Sequence, residues 1–153
     1  MIFQYSESPS EKKSLEALSQ LWQQESMFWP YSELVESMKR FDISIIYDAK
    51  DQASPWEAAI ILSTTFFEAE VLFVYTQPQQ RGKSLGTKLV REAIEFARTR
   101  PCSKIFLEVR ANNAGARHVY EKCGFRAFHS RTGYYANGDD AVMMALDLVG
   151  DGK

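Results

Sequence analysis

Val71-Leu72-Phe73-Val74-Tyr75-Thr76-Gln77-Pro78-Gln79-Gln80-Arg81-Gly82-Lys83-Ser84-Leu85-Gly86-Thr87 is the stretch whose reading decides the fold. Its first five residues form an apolar run rich in β-branched and aromatic side chains, which predicts a buried strand. Gln77-Pro78 ends that strand, because proline has no amide proton for a ladder and drives the residue before it toward extended or turn geometry. Beyond it, Leu85, Leu89, Val90, Ala93, Ile94 and Ala97 recur at helical spacing. A cationic, glycine-bearing loop therefore stands at a helix start.

The first amides of a helix lack intrahelical acceptors and sit at the positive end of its dipole, which suits phosphate oxygens. Gly82 and Gly86 let a ligand approach the backbone, and Arg81 and Lys83 add charge-assisted hydrogen bonds. Ser84 suits a helix start and would cost roughly 1 kcal/mol only if that position needed a left-handed backbone. The implied ligand carries a pyrophosphate or another di-anionic group.

Working outward, Ile2 to Tyr5 reads as a first strand. Ser8-Pro9-Ser10-Glu11 supplies a capping box with proline at the first helical position, and Leu15, Leu18, Leu21 and Trp22 mark one face of a helix running to about Glu25. Met27-Phe28-Trp29-Pro30-Tyr31 interrupts it, and Ser32 is expected to cap a short second helix containing Leu34, Val35 and Met38. Ile43 to Tyr47 and Ala58 to Thr65 predict a hairpin, and Phe66 to Ala69 a connection into the strand at Val71. Ile105 to Val109 predicts a strand parallel to that one, with the intervening helix as crossover. Asn112 or Asn113 caps a helix ended by Gly124, and Phe125 to Tyr135 with Ala141 to Leu148 predict a closing hairpin around Asn137-Gly138-Asp139.

With 153 residues, 45% hydrophobic and 25% charged, the chain is expected to be one globular domain over residues 1–153. No apolar run approaches the roughly 18 residues of a membrane span, and Met1 to Glu7 lacks the regions of a signal peptide, so a cytoplasmic location without membrane partners is expected. Cys102 and Cys123 show no metal-ligand spacing and are expected to be free thiols. Residues 1–70 hold 12 Asp/Glu against 5 Lys/Arg, whereas residues 71–153 hold 8 against 13. That asymmetry fits either two solvated faces or a cationic cofactor side opposite an acidic, amine-attracting side. No basic run is interleaved with aromatics, which argues against nucleic acid.

Arg81 to Gly86 resembles the Gln/Arg-x-x-Gly-x-Gly/Ala pyrophosphate loop of the GNAT superfamily of acyl-CoA-dependent N-acetyltransferases, with Ser84 where glycine is commonest. Leu107-Glu108-Val109-Arg110 and the asparagine pair Asn112-Asn113, followed by Tyr120-Glu121 and Gly124-Phe125, resemble its second signature. With Tyr134-Tyr135, these residues are most similar to the RimI branch, the ribosomal-protein-alanine N-acetyltransferases. The resemblance covers about Val71 to Leu148. It implies an α+β fold, a mostly antiparallel mixed sheet splayed at a V-shaped cofactor cleft and flanked by about four helices. It also implies acetyl-CoA as co-substrate with no metal, and as acceptor a protein N-terminus, such as that of a ribosomal protein, or a small amine.

Carried over position by position, the resemblance makes Glu108 the general base and Tyr120 the general acid. It assigns the cofactor to Val74, Tyr75, Thr76, Arg81, Gly82, Lys83, Ser84, Leu85, Gly86, Thr87 and Asn113, and the acceptor to Phe28, Trp29, Tyr31 and Tyr134. Each has a plainer structural alternative. A strand glutamate is commonly exposed or ion-paired, a tyrosine on an apolar helical stripe is commonly core with its hydroxyl bonded, and the Phe28 to Tyr31 aromatics can simply plug a gap between helices. Gly82-Lys83-Ser84 also mimics the end of a nucleotide-triphosphate loop, but that motif needs glycine where Gln77 stands. A non-catalytic acyl-CoA-binding module would need neither Glu108 nor Tyr120.

Overall fold

The computed structural model describes residues 1–24, 31–39 and 42–150. The elements run β1 (Ile2–Gln4), α1 (Pro9–Gln24), α2 (Tyr31–Met38), β2 (Ile43–Asp48), β3 (Ala58–Thr64), β4 (Glu68–Thr76), α3 (Leu85–Arg98), β5 (Lys104–Arg110), α4 (Ala114–Lys122), β6 (Arg126–Arg131) and β7 (Ala141–Asp147). Seven strands form one sheet in the order β1-β2-β3-β4-β5-β7-β6. All neighbours are antiparallel except β4 and β5, which α3 joins as a parallel crossover.

Two cores lie on opposite faces. One packs Leu89, Val90, Ala93, Ile94 and Ala97 of α3 and Tyr120 of α4 against Ile60, Leu62, Val71, Ile105, Leu107 and Val109. The other packs Leu15 and Leu18 of α1 and Leu34 of α2 against Ile45, Tyr47, Ala59 and Ile61. Successive strand residues point to opposite faces, so each strand feeds both cores. On β5 this alternation turns Ile105, Leu107 and Val109 toward the α3 and α4 face, and Phe106, Glu108 and Arg110 toward the other.

The capping box of α1 forms as expected and reaches further. Glu11 accepts the Ser8 amide at 2.8 Å, and Ser8 Oγ accepts the Glu11 amide at 3.4 Å. The same carboxylate takes the Ser6 hydroxyl at 2.8 Å and the Tyr47 hydroxyl at 2.8 Å, tying α1 to β2. Tyr47 in turn stacks on Trp56 with ring centroids 4.5 Å apart. Two expectations are corrected. The second helix begins at Tyr31, so Ser32 lies inside its first turn rather than at its cap, and β4 begins at Glu68 because Glu68 and Ala69 already pair with Lys104 and Ile105.

Burial pushes the Glu11 carboxyl up, but its hydrogen bonds from Ser8, Tyr47 and Ser6 outweigh that and hold it at about 2 rather than 4.5. A carboxylate depressed on folding stabilises above its unfolded value and loses that contribution as pH falls toward the folded one. Glu11→Gln is therefore expected to destabilise the protein by about 3 kcal/mol at neutral pH, from 1.36 kcal/mol per pKa unit. Urea unfolding should show the gap between parent and variant shrinking from about pH 4.5 down to pH 2. A gap independent of pH would assign the loss to packing alone.

Candidate active site

Strands β4 and β5 pair only from Glu68↔Lys104 to Val71↔Leu107, although β4 continues to Thr76 and β5 to Arg110. The cause lies one residue further along β4. Ile61 pairs with Phe73 and Leu62 with Val71, which leaves Leu72 as an extra, bulged residue facing β3. A bulge bends its strand and increases local twist, so β4 turns away from β5 at that point. The result is a wedge-shaped gap bordered by Leu72 to Thr76 on one side and Glu108 to Arg110 on the other.

The backbone of the gap is open to a ligand. The Gln77 amide donates to Glu57 O on the β3 side at 2.9 Å. Alternation along an antiparallel ladder then turns the amides and carbonyls of Val74 and Thr76 toward the gap. Arg81 Nε reaches the Thr76 carbonyl at 3.3 Å, anchoring the loop that follows to the end of the strand.

That loop is a concave array of donors. Among the described residues, the amides of residues 82 to 87 have no backbone acceptor, and the Lys88 amide is the first to close on Ser84 O, at 3.0 Å. Gly82 has φ +78° and nothing within 4 Å of where a Cβ would lie. Ser84 has φ +61°, the left-handed region, and makes no side-chain cap bond. Left-handed residues within a turn, as at 82 and 84, bring successive amides to one side of the backbone, as in anion-binding nests. Ser84 therefore stands at the N-cap of α3, where serine is expected to suit the helix start, and it takes the left-handed backbone that makes serine costlier there than glycine. Lys83 Nζ bonds Gln80 at 2.7 Å, and Gly86 sits 3.8 Å from Thr76 Oγ1 measured from an added Cβ, so strand end and helix start touch.

Glu108 is the first β5 residue beyond the last pair with β4. Its carboxylate lies 3.4 Å from Arg131 Nη1 of β6 and is 20% exposed. A hydrogen bond to Glu108 raises the Tyr134 hydroxyl above its ordinary value. Glu70, one strand away on the same face, is raised by lost hydration and then by the charges of Glu108 and Glu68. Tyr120 lies on the other face, 8% exposed and edge-on to Phe125 with ring centroids 6.0 Å apart. Burial, then the neighbouring Tyr135 and Cys123, push its phenol up to about 12. Its hydroxyl has no hydrogen-bond partner among the described residues, unlike an ordinary core tyrosine.

Asn113 Oδ1 caps α4 by accepting the Ala116 amide at 3.1 Å, which settles the choice between the two asparagines. Gly124 follows at φ +99°, with Leu146 Cδ1 3.3 Å from where its Cβ would stand, so glycine is needed there to end α4. Of the four residues expected at the acceptor, Phe28 and Trp29 lie outside the described residues, Tyr31 opens α2, and Tyr134 lies beside Glu108.

Sequence reasoning missed Arg131, Tyr135 and Arg110. Arg110 bonds Asn137 Oδ1 at 3.0 Å and Asp139 Oδ2 at 3.1 Å, and its guanidinium lies 3.9 Å above the Tyr135 ring. It therefore pins the β6–β7 loop over the gap. Its position two residues after Glu108 on one strand face was readable, whereas Arg131 required the β6–β7 register.

Ser84→Gly should relieve a left-handed strain of about 1–2 kcal/mol, partly offset by glycine's greater freedom when unfolded. A net gain of up to about 1 kcal/mol is expected in urea unfolding, and a loss would mean that the serine hydroxyl has a structural partner.

Residues 15–125 match the family model described as Acetyltransferase (GNAT) family. N-alpha-acetyltransferase RimI of Mycobacterium tuberculosis is 37% identical over 82 residues, 53% of this chain and 50% of that protein. Ribosomal protein bS18-alanine N-acetyltransferase of Escherichia coli K12 is 33% identical over 94 residues, 60% of this chain and 64% of that protein. These matches thus span between half and two thirds of the relatives' length. The crystal structure of the ribosomal-protein-S18-alanine N-acetyltransferase from Escherichia coli superposes with a TM-score of 0.79 at 22% identity, covering 100% of this chain and 97% of that one, which shows the shared fold. No helix among the described residues is long and apolar enough to cross a membrane, and none of their His, Cys, Asp and Glu side chains form a group of three that could hold a metal. With the match extending over most of its length, the chain belongs to the GNAT acetyltransferase family.

Proposed function

We propose that this protein transfers the acetyl group of acetyl-CoA to a primary amine, and that the preferred acceptor is the N-terminal α-amine of a protein. The observation that carries this reading is the gap itself. It has a nest of unclaimed amides at one end, unpaired strand backbone along one side, and Glu108 and Tyr120 on opposite faces of the sheet beside it.

The amides of residues 82 to 87, with Arg81 and Lys83, hold the pyrophosphate. The gap-facing groups of Val74 and Thr76 bond the pantetheine arm and the thioester oxygen, where a well-placed amide stabilises a tetrahedral oxyanion by roughly 2.7–4 kcal/mol. The amine enters from the Glu108 face. Glu108 takes its proton directly or through one water, the nitrogen attacks the carbonyl carbon, and the carbon–sulfur bond breaks as the intermediate collapses.

Tyr120 serves the leaving sulfur. With its phenol near 12, proton transfer to a free thiolate near ~8.5 would be uphill by roughly 5 kcal/mol. Burial in the closed cleft raises the thiolate's affinity for a proton and narrows that difference. The phenol is therefore first a hydrogen-bond donor and completes the transfer as the sulfur departs.

The acceptor class follows from the cost of a free amine. An α-amine near ~7.8 costs about 1 kcal/mol to deprotonate at neutral pH, and a lysine near ~10.4 about 4.6 kcal/mol. One carboxylate suits the former. The relatives named for alanine N-acetylation of ribosomal protein bS18 support a protein N-terminus as acceptor, and a ribosomal protein is the first candidate.

Release of CoA thiol from acetyl-CoA, measured against peptides with free and blocked N-termini and against polyamines, tests the reading. Free N-termini are expected to be turned over and blocked ones not, whereas turnover confined to polyamines would assign a small-molecule acceptor. Glu108→Gln and Tyr120→Phe are each expected to lower kcat by about 10²–10⁴-fold with acetyl-CoA affinity nearly unchanged. Parental turnover in both would return the two residues to structural roles.

A further inference from the structure

The carboxylate that faces the incoming amine already carries a cation from its own chain. Arg131 Nη1 lies 3.4 Å from Glu108 Oε1, and its guanidinium carbon stands 5.2 Å from the centroid of the Tyr134 ring. The same carboxylate holds the nearby Tyr134 phenol above its ordinary range. A carboxylate, an aromatic face and a phenol oxygen are the surroundings that a primary ammonium would also choose. The geometry points to Arg131 as an internal stand-in for the acceptor: it occupies the cation position on Glu108 until the amine displaces it. This assignment rests on the reading of Glu108 as the acceptor's base.

Three features make the guanidinium displaceable. It meets Glu108 through one nitrogen at a long distance, not through the bidentate fork of a strong pair. Its side chain is 44% exposed, and exposed pairs contribute little. It is also the last residue of an edge strand, followed by Thr132-Gly133, where Gly133 at φ +62° has open space around it.

Charge on the face favours replacement over simple loss. Glu70 looks toward Glu108 from β4, while Arg110, two residues along β5, is engaged by Asn137 and Asp139. Once Arg131 swings out, two carboxylates face the space it leaves. An ammonium restores the balance, and a neutral ligand does not. Arg131 is thus a specificity residue that sets how strongly a cationic acceptor must compete for the base; it takes no part in the chemistry.

Arg131→Met keeps length and covers Tyr134 without charge, whereas Arg131→Lys keeps the charge. With acetyl-CoA and a peptide bearing a free N-terminus, Arg131→Met is expected to lower the peptide KM by about two- to fivefold, the range an exposed ion pair can supply. The acetyl-CoA KM should stay unchanged and kcat within about twofold, and Arg131→Lys should keep the parental KM. A raised peptide KM or a kcat reduced about tenfold would overturn the assignment, since Arg131 would then bind the acceptor or orient the base. Titration of n-butylammonium into isotope-labelled protein, followed at the amide signals of Glu108 and Tyr134, reads the competition without turnover. Tighter binding by about two- to fivefold in Arg131→Met supports the assignment, and equal or weaker binding sinks it. If no amine is acetylated but this tightening is seen, the transfer reading falls and the stand-in remains.

Discussion

The pairing of Val71 with Leu107 is where the architecture turns toward a candidate site, because it ends the one parallel strand pair among the described residues. A ladder that stops inside a sheet leaves amides and carbonyls without partners, and such groups are costly unless water or a ligand meets them. The bulge at Leu72 forces that stop. It also places Leu72 and Phe73 together on the α1 and α2 face while Val74 returns to the α3 and α4 face. The two cores then hold the diverging strands from opposite sides.

The same divergence fixes what the gap can bind. Helix α3 starts where β4 ends, and its first amides lie beside Thr76. On the proposed reading, a diphosphate held there would run its attached arm along unpaired strand backbone toward the level of Glu108. Asp48 adds a brace: buried at the end of β2, it accepts Lys88 of α3 at 2.6 Å and keeps the helix registered against the sheet. Helix start, strand edge and the place of Glu108 are set by one topological feature instead of three separate loops.

How much of this the chain disclosed depends on whether a feature is local. The capping box at Ser8 and Glu11, the α3 stripe from Leu89 to Ala97 and the parallel crossover were legible, because periodicity and caps are properties of neighbouring residues. The place of Ser84 at the helix start was legible, whereas its backbone conformation was left open for a physical reason. Serine supports both a side-chain cap and a left-handed turn, and only the backbone angle of +61° separates them. Arg131 and Tyr135 were invisible as site residues because their places follow from the β6–β7 register, which shifts at Phe128. The charge asymmetry was read too coarsely as well. Arg110 and Arg131 belong to the basic half of the chain yet stand on the face that Glu70 and Glu108 make acidic.

The Tyr120 ring is buried, but its hydroxyl is not one of the buried polar atoms left without a partner, so it is open to solvent while taking no hydrogen bond from the described residues. Phenylalanine would pack against Phe125 equally well, so packing alone gives no reason for the hydroxyl. The unclaimed amides of residues 82 to 87 and the gap-facing backbone at Val74 and Thr76 pose the same question. All three sets of polar groups border one gap, and one elongated ligand with an anionic end, an amide-bearing arm and a sulfur at its tip would satisfy them together. The co-location of these three sets of open polar groups, and not any cost in stability, is what supports reading the gap as a binding cleft.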